Sequence, residues 1–399
     1  MNKRGMSRDG EQSRVIVSLF LILFVGVADN QVVSPLLPAI RADFGKSPSE
    51  AGLLFTGYSV CAGLFVLLWG PLSDAFGRKQ GLLNGLVLFL AGSSVSFLAG
   101  SYPALMTGRM VTGIGAGMLS LNAIAYAADY FPYAKRGWAM GSIFSSYFAA
   151  LIFGVPLGSW LGERFGWNSV FGAMGGASLL LTVGAGLMLP LLPSKRAAGG
   201  ETTFSEYLRR YGSFVKERTS LSALAGSFFA SAATTGFLAF LGVWLHDSFG
   251  ISGSSIGLVF LISGGAALLA SPLAGSVADR IGKRFQFIAS SVALMLLLLT
   301  LPLMSWGSAL FVVFGLISLA AAFRQGPLEA MLSEIVPSGE RGSFVALKNS
   351  LSQLGIGLAA MVSGLLFEMH GYGAVCLLGA VLSLLAGVSM LFTSRHRNL

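Results

Sequence analysis

Asp29 and Arg109 are ionisable residues inside long apolar runs, the first in the stretch from residue 15 to 39 and the second in that from 104 to 127. A carboxylate near the middle of a membrane-spanning helix costs about 2.5 to 3.5 kcal/mol, so it faces protein or water and is a functional candidate by default. Proton transfer is the chemistry such a group offers. Burial favours a protonated acid and a nearby cation favours a carboxylate, so a group moved between these surroundings loads and releases a proton. Arg109 is the expected partner. At 1.5 Å per residue, Asp29 lies about 16 Å from the outer end of its helix and Arg109 about 8 Å from the outer end of its own, an offset that a long arginine spans if the helices adjoin. A static buried pair, or an arginine reaching to the headgroups, is the plainer alternative.

No other catalytic constellation is assembled. The three histidines form no triad or metal cluster, and Cys61 and Cys376 sit in apolar runs without metal-type spacing, so neither a zinc site nor a disulfide framework is indicated. An enzyme is not expected, nor is a cofactor.

The elements that must position Asp29 and Arg109 are repeated. Gly70-Pro71-Leu72-Ser73-Asp74-Ala75-Phe76-Gly77-Arg78-Lys79 returns as Gly275-Ser276-Val277-Ala278-Asp279-Arg280-Ile281-Gly282-Lys283-Arg284, each time after a long apolar stretch. The interval of 205 residues from Asp74 to Asp279 also relates Asp129 to Glu334, Pro132 to Pro337, Arg136 to Arg341 and Gly166 to Gly371. Parallel repeats of this size in an apolar chain are a plan of secondary transporters, whose substrate site lies between the halves near the bilayer midplane. Composition agrees: 54% hydrophobic residues, 11% charged residues and 53 glycines suit helices in close contact within lipid. Mean hydropathy is +0.75.

Apolar runs long enough to cross roughly 30 Å of hydrocarbon predict about twelve helices. They fall near 15–39, 50–72, 80–100, 104–127, 138–161, 169–193, 220–245, 253–277, 285–304, 307–329, 342–367 and 372–393. There is no room for a separate ATP-binding domain and no phosphate-loop motif, so a gradient must supply the energy. The net charge of +9 sits in short loops rather than on one surface, which speaks against nucleic acid and for topology signalling. Lys3, Arg4, Arg8, Arg14, Arg78-Lys79, Lys135-Arg136, Arg280, Lys283-Arg284, Arg341, Arg395 and Arg397 fall on one side, against Arg41, Lys46 and Arg164 on the other. Both termini are therefore expected in the cytoplasm, with the first span an uncleaved helix rather than a signal peptide. Between the sixth and seventh spans, Thr203 and Glu206 form a capping box. Phe204, Tyr207, Leu208, Tyr211, Phe214 and Val215 then recur at helical spacing among Arg209, Arg210, Lys216 and Arg218. This predicts a short amphipathic helix on the inner leaflet, or else a solvated connector.

Gly70-x-Leu72-x-Asp74-x-x-Gly77-Arg78-Lys79 resembles the signature loop between helices 2 and 3 of the major facilitator superfamily, and its echo at 275–284 matches the second half of that fold. The resemblance implies that Asp74 packs against the start of helix 11 and shares charge with Arg78 and Asp129, locking the cytoplasmic side. Asp279 with Arg280, Lys283 or Arg284 would form the weaker mirror, with Gly70, Gly77, Gly275 and Gly282 allowing close helix approach. Ala75 replaces a basic residue common at that position. Arg109-x-x-x-Gly113-x-Gly115-x-Gly117 resembles a pattern of proton-coupled members. Phe153-Gly154-Val155-Pro156-Leu157-Gly158-Ser159 resembles the helix 5 motif of drug and metabolite exporters; Val155 and Ser159 stand where the strict motif has glycine, closer to the sugar- and purine-efflux branch. Physically, Gly154, Pro156 and Gly158 thin and kink this helix so that it can pack against the other half.

In the second half the shift of 205 puts Thr234 at the place of Asp29 and Phe314 at that of Arg109, so proton handling is expected in the first half alone. Arg324 and Lys348 either snorkel to the headgroups or face the cavity, where they would favour an anionic or hydroxyl-rich substrate, with Glu329 able to neutralise Arg324. Asn122, Gln325, Asn349 and Gln353 offer neutral hydrogen bonding, and Phe237 and Trp244 offer apolar walls. His246 and Asp247 are expected at the interface.

The fold expected is an all-α membrane protein of twelve transmembrane helices in two six-helix bundles related by a parallel pseudo-twofold repeat. The first bundle spans 1–193, the linker 194–219 and the second bundle 220–399. The function expected is proton-coupled export of a small organic compound by alternating access, in a monomer of the bacterial inner membrane, with protons, membrane lipids and that compound as its partners. A symporter or uniporter is the alternative, and from another class a sensor or assembly protein on a transporter scaffold.

Overall fold

Among the described residues six glycines adopt positive φ, and they fall into three pairs separated by the same 205 residues: Gly45 (60°) with Gly250 (65°), Gly77 (93°) with Gly282 (93°), and Gly166 (88°) with Gly371 (74°). L-residues rarely enter this region, so glycine sets each turn, and the matched angles show that the sequence repeat is a backbone repeat. The computed structural model describes residues 3–192, 204–336 and 340–393, and within them every side chain except those of 3–9, 71, 72, 74, 75, 133, 134, 204 and 333.

The helices are α1 (Lys3–Gln31), α2 (Val33–Phe44), α3 (Pro48–Phe76), α4 (Arg78–Phe97), α5 (Tyr102–Tyr130), α6 (Tyr133–Ala149), a π-helical turn (Ala150–Gly154), α7 (Val155–Phe165) and α8 (Trp167–Met188). Then follow α9 (Phe204–Lys216), α10 (Arg218–Phe249), α11 (Gly253–Ile281), α12 (Lys283–Thr300), α13 (Ser308–Ile335), α14 (Arg341–His370) and α15 (Tyr372–Ser389). Among the described residues, twelve spans are long and apolar enough to cross a bilayer. The chain is all-helical among the described residues, and the spans fall six on either side of α9.

Two spans are not the simple rods that hydropathy suggests. The first divides into α1 and α2 at Val32, three residues after Asp29. Pro35 has no N–H with which to continue the ladder to Gln31, four residues earlier, and the helix restarts from Val32. The fifth divides at the π turn just before Pro156, for the same reason: proline leaves one carbonyl unbonded and the extra residue of the π turn absorbs the misfit.

The ends of α1 and α15 share one side, called here the terminal side. Glu11 and Gln12 accept from Tyr130 and Lys135 there (3.0 and 2.9 Å), and Arg284 donates to the carbonyl of Thr393 (3.2 Å). On the opposite side the two halves are latched together. Ser34 Oγ donates to the Leu238 carbonyl (2.6 Å) and accepts from the Gly242 amide (3.3 Å). Arg41 pairs with Asp247 (3.2 Å), the Ser254 amide donates to Glu163 (2.8 Å) and the Ser49 amide donates to Glu368 (3.3 Å). An apolar cluster drawn from α2, α3, α10 and α11 seals the same side. His246 is exposed there, and Asp247 serves this latch rather than headgroup contact alone.

The α9 helix is where expectation and structure part. Tyr207, Tyr211 and Phe214 are buried against Leu328, Leu332, Phe344 and Leu347, so its apolar face covers the terminal end of the second half instead of lying on lipid. Protein offered a closer-fitting apolar surface than acyl chains would. Leu208 and Val215 remain exposed. Thr203, the first residue of the expected capping box, lies outside the described residues.

Candidate functional site

Asp29 on α1 and Arg109 on α5 meet in the interior of the first half: Arg109 Nη1 donates to Asp29 Oδ2 at 2.6 Å, and both side chains are buried to within 1%. The arginine therefore does not snorkel, and the carboxylate faces protein rather than acyl chains. The guanidinium carbon lies 4.6 Å from the ring centre of Tyr58 on α3 and 5.4 Å from that of Phe171 on α8, a placement in which two aromatic faces share the positive charge. Asp29 Oδ1 and Arg109 Nε and Nη2 have no protein partner. The pair is thus closely held but not saturated.

The glycines that follow Arg109 seat it. A Cβ on Gly113 would fall 2.2 Å from the Tyr58 carbonyl oxygen, one on Gly117 2.7 Å from the Ala62 carbonyl oxygen, and one on Gly115 2.7 Å from that of Gly85. Gly113 and Gly117 thus admit α3 and Gly115 admits α4. Because Tyr58 is also the ring over Arg109, Gly113→Ala is expected to displace both. The cost expected is the 1 to 3 kcal/mol typical of overpacking, read as a lowered melting temperature of the purified protein. A melting temperature equal to wild type would show that α3 can withdraw freely.

Within the helix 5 motif the glycines and the proline face different neighbours. Gly154 abuts Ala28 and Gly158 abuts Val32, both on the first span of the same half (2.6 and 2.5 Å from a Cβ placed on each glycine). Contact with the other half is made by Pro156 and Ser159 against Gly257, and by Leu151 and Ile152 against Gly264, all on one face of α11. The motif glycines bring the broken first span close; the second half supplies its own glycines for the seam.

At the terminal side, Arg78 Nε donates to Asp129 at 3.1 Å and Arg78 Nη1 to Ser73 Oγ at 2.7 Å. Ser73 donates to Asn122, whose amide also donates to the Met118 carbonyl (2.7 Å). Asn122 is fully buried and belongs to this network, not to a cavity wall. The Asp74 carboxylate lies outside the described side chains. Lys79 donates to the Gly186 carbonyl (2.7 Å), and Gly70 approaches the Tyr211 hydroxyl and Ala346. In the second half, Lys283 pairs with Glu334 and Arg284 caps the Leu391 and Thr393 carbonyls. Asp279 and Arg280 are exposed, and Asp279 has no ion pair among the described residues. The mirror is therefore Lys283–Glu334, which the shift of 205 maps onto Arg78–Asp129; the acid inside the motif has no part in it. Among the described residues nothing lies within 4 Å of a Cβ on Gly77, Gly275 or Gly282, so of the four loop glycines expected to allow close helix approach only Gly70 has a near neighbour.

Arg324 neither snorkels nor meets Glu329. It is 2% exposed and donates to the Ala230 carbonyl (2.8 Å), Thr234 Oγ1 (2.6 Å) and Ser383 Oγ (3.2 Å). Thr234, at the repeat position of Asp29, thus receives an arginine too, from ten residues further along the helix corresponding to α5. Phe314 fills the position of Arg109 and is buried. Glu329 instead accepts from Lys348 Nζ (2.7 Å) and Gln325 Nε2 (2.9 Å). Phe237 and Trp244 are packed in the core: the Tyr372 hydroxyl donates to the Phe237 carbonyl at 3.0 Å, and the Trp244 ring stacks on Tyr372 at 4.5 Å. Asn349 is half-buried, and Gln353 packs at Gly63 of α3. Ser34, Glu163 and Glu368, which hold the opposite side shut, carried no sequence signal beyond being polar residues near span ends.

Comparison with known proteins gives one family. The Major Facilitator Superfamily profile matches residues 19–223 and again 223–398. "Uncharacterized MFS-type transporter YwfA" of Bacillus subtilis (strain 168) is 29% identical over 383 residues, covering 94% of this chain and 91% of that protein. "Transcription regulatory protein OpdE" of Pseudomonas aeruginosa is 26% identical over 396 residues, covering 96% and 94%. Among solved structures, that of the human organic anion transporter MFSD10 (TETRAN) superposes with a TM-score of 0.73 at 20% identity, covering 95% of this chain and 99% of that one.

Proposed function

The chain belongs to the major facilitator superfamily, and from that membership we propose a proton-coupled exporter of a small organic compound. It works by rocking the halves 1–193 and 220–399 about a central site, in the bacterial inner membrane with both termini cytoplasmic. The family makes it a non-enzymatic, multi-pass membrane transporter. The observation that carries the proton coupling is the Asp29–Arg109 pair: a carboxylate with one oxygen bound to a cation and the other unbonded, buried at the break in the first span. As the halves rock, the break in the first span lets α1 shift against α5 within the first half; such a shift would part the charges, and the freed carboxylate would take a proton. The export direction is supported by the resemblance of residues 153–159 to the helix 5 motif of exporters. A membrane potential of 100 mV moves one charge with about 2.3 kcal/mol, enough for almost 50-fold accumulation.

The test is acid-driven uptake of a compound panel into inverted vesicles, with internal pH followed in parallel. Uptake accompanied by proton exit is the expected result. Flux in the same direction as protons would make the protein a symporter, and flux indifferent to the pH gradient a uniporter. A second reading is favoured by the relative named as a transcription regulatory protein: a membrane sensor on this scaffold, which predicts ligand binding without flux.

A further inference from the structure

Gln325 and Glu329 form a polar strip on α13, and Glu329 is held there by Lys348 of α14. Leu328 and Leu332 turn toward α9 and α10, and Gly326 turns toward Ala274 of α11. Between these faces Gln325 and Glu329 are accessible, the Glu329 side chain to 44%. Glu329 lies three residues before the end of its span at Leu332, so a carboxylate this open there meets water from the terminal side, entering between α10 and α11. Lys348 Nζ from α14 and Gln325 Nε2 from α13 both donate to the same oxygen, Glu329 Oε1, at 2.7 and 2.9 Å. Lys348 itself is 11% exposed, so its charge is held mostly out of water and needs an anion.

Charge balance points the same way. Asp29 and Arg109 cancel in the first half, whereas the second half carries Arg324 and Lys348 against Glu329 alone. Arg324 has three neutral acceptors, and its Nε has none. The interior of the second half is one positive charge in excess.

We propose that Lys348 and Gln325 are the recognition point for a carboxylate on the transported compound, and that Glu329 occupies this point until the compound displaces it. The cargo is then an organic anion. Its carboxylate takes the place of Glu329 Oε1, and Glu329, already half in water, swings further into it. Arg324 stays in place and contributes the excess potential. This rests on the transporter reading only in calling the ligand cargo.

The experiment measures binding to the full chain in nanodiscs, without a gradient, by ligand-dependent thermal shift. Benzoate, cinnamate and indole-3-acetate are each compared with the neutral amide. At least one acid is expected to stabilise wild type more than its amide; Lys348→Gln should remove that difference and Lys348→Arg retain it. Glu329→Gln, which weakens the internal competitor and keeps its shape, should lower the half-saturating concentration about tenfold, or about 1.4 kcal/mol. The proposal is overturned if no acid is distinguished from its amide, or if the distinction survives Lys348→Gln. Should Lys348→Gln not fold, unchanged or weaker acid binding by Glu329→Gln overturns it equally. Intact acid binding with no flux would sink transport alone; proton-linked flux of neutral compounds without acid binding would sink this site alone.

Discussion

Asp29→Asn is expected to lower the melting temperature and abolish proton-linked transport together, while Asp29→Asn combined with Arg109→Gln recovers much of the stability and none of the coupling. Asparagine keeps the shape of Asp29 and one acceptor for Arg109 Nη1, so packing against Tyr58 and Phe171 survives. What it removes is the counter-charge. Leaving one member of a buried ion pair without its partner costs about 3 to 5 kcal/mol. Arg324 shows how the same chain tolerates a buried guanidinium without an acid, through three neutral acceptors. Arg109 in the variant would have one, with Nε and Nη2 already unbonded. The double variant removes the orphaned charge and should regain most of the loss. Thermal unfolding separates the first claim, and substrate-evoked proton movement in proteoliposomes the second. Coupled transport at the wild-type level in Asp29→Asn would take Asp29 out of the mechanism, and a double variant no more stable than the single would show that charge is not what the pair contributes.

The contrast between the two arginines also shows what can be read from sequence. The twelve spans and the repeat followed from hydropathy and a fixed interval, which are properties of the chain alone; helix rise made a meeting of Asp29 with Arg109 possible, and that their helices adjoin was what the family resemblance implied. Applied to Arg78 and Asp129 the interval yields Lys283 and Glu334, the pair that forms, whereas the motif resemblance points to Asp279, an acid inside the loop that stays exposed. Applied to Asp29 it yields Thr234, an acceptor for an arginine after all, but one supplied ten residues away, which no shift of register gives. Phe237 and Trp244 look like cavity walls by type; only the position of Tyr372, more than a hundred residues on, makes them core. The α9 face was legible as amphipathic, but a hydrophobic stripe does not say whether lipid or protein covers it.

Replacing Gly242 by valine should turn the molecule over, from closed on the opposite side to open there. A Cβ on Gly242 falls 2.1 Å from the Ser34 carbonyl oxygen, 2.7 Å from its carbonyl carbon and 3.0 Å from Pro35 Cα. All three are backbone, in a segment that Pro35 and Pro38 stiffen, so no rotamer change relieves the overlap. The two hydrogen bonds through Ser34 are lost when the seam parts. Overlap at the upper end of the usual range, about 3 kcal/mol, already shifts a two-state ratio by more than a hundredfold. Gly242 and Ser34 lie on opposite halves, so in the proposed rocking cycle they separate and the cost falls on one conformation alone. Spin labels at Arg164→Cys and Ser248→Cys, with Cys61 and Cys376 replaced by alanine, would read the distance across the seam. Gly242→Val is expected to move the main population to longer distance. Gly176→Val, on α8 with nothing within 4 Å of its Cβ, should leave the population in place. An unchanged distribution in Gly242→Val would mean that the seam is not what holds this side shut, and that the closing force must be sought in the Arg41–Asp247 and Glu163–Ser254 contacts at its rim.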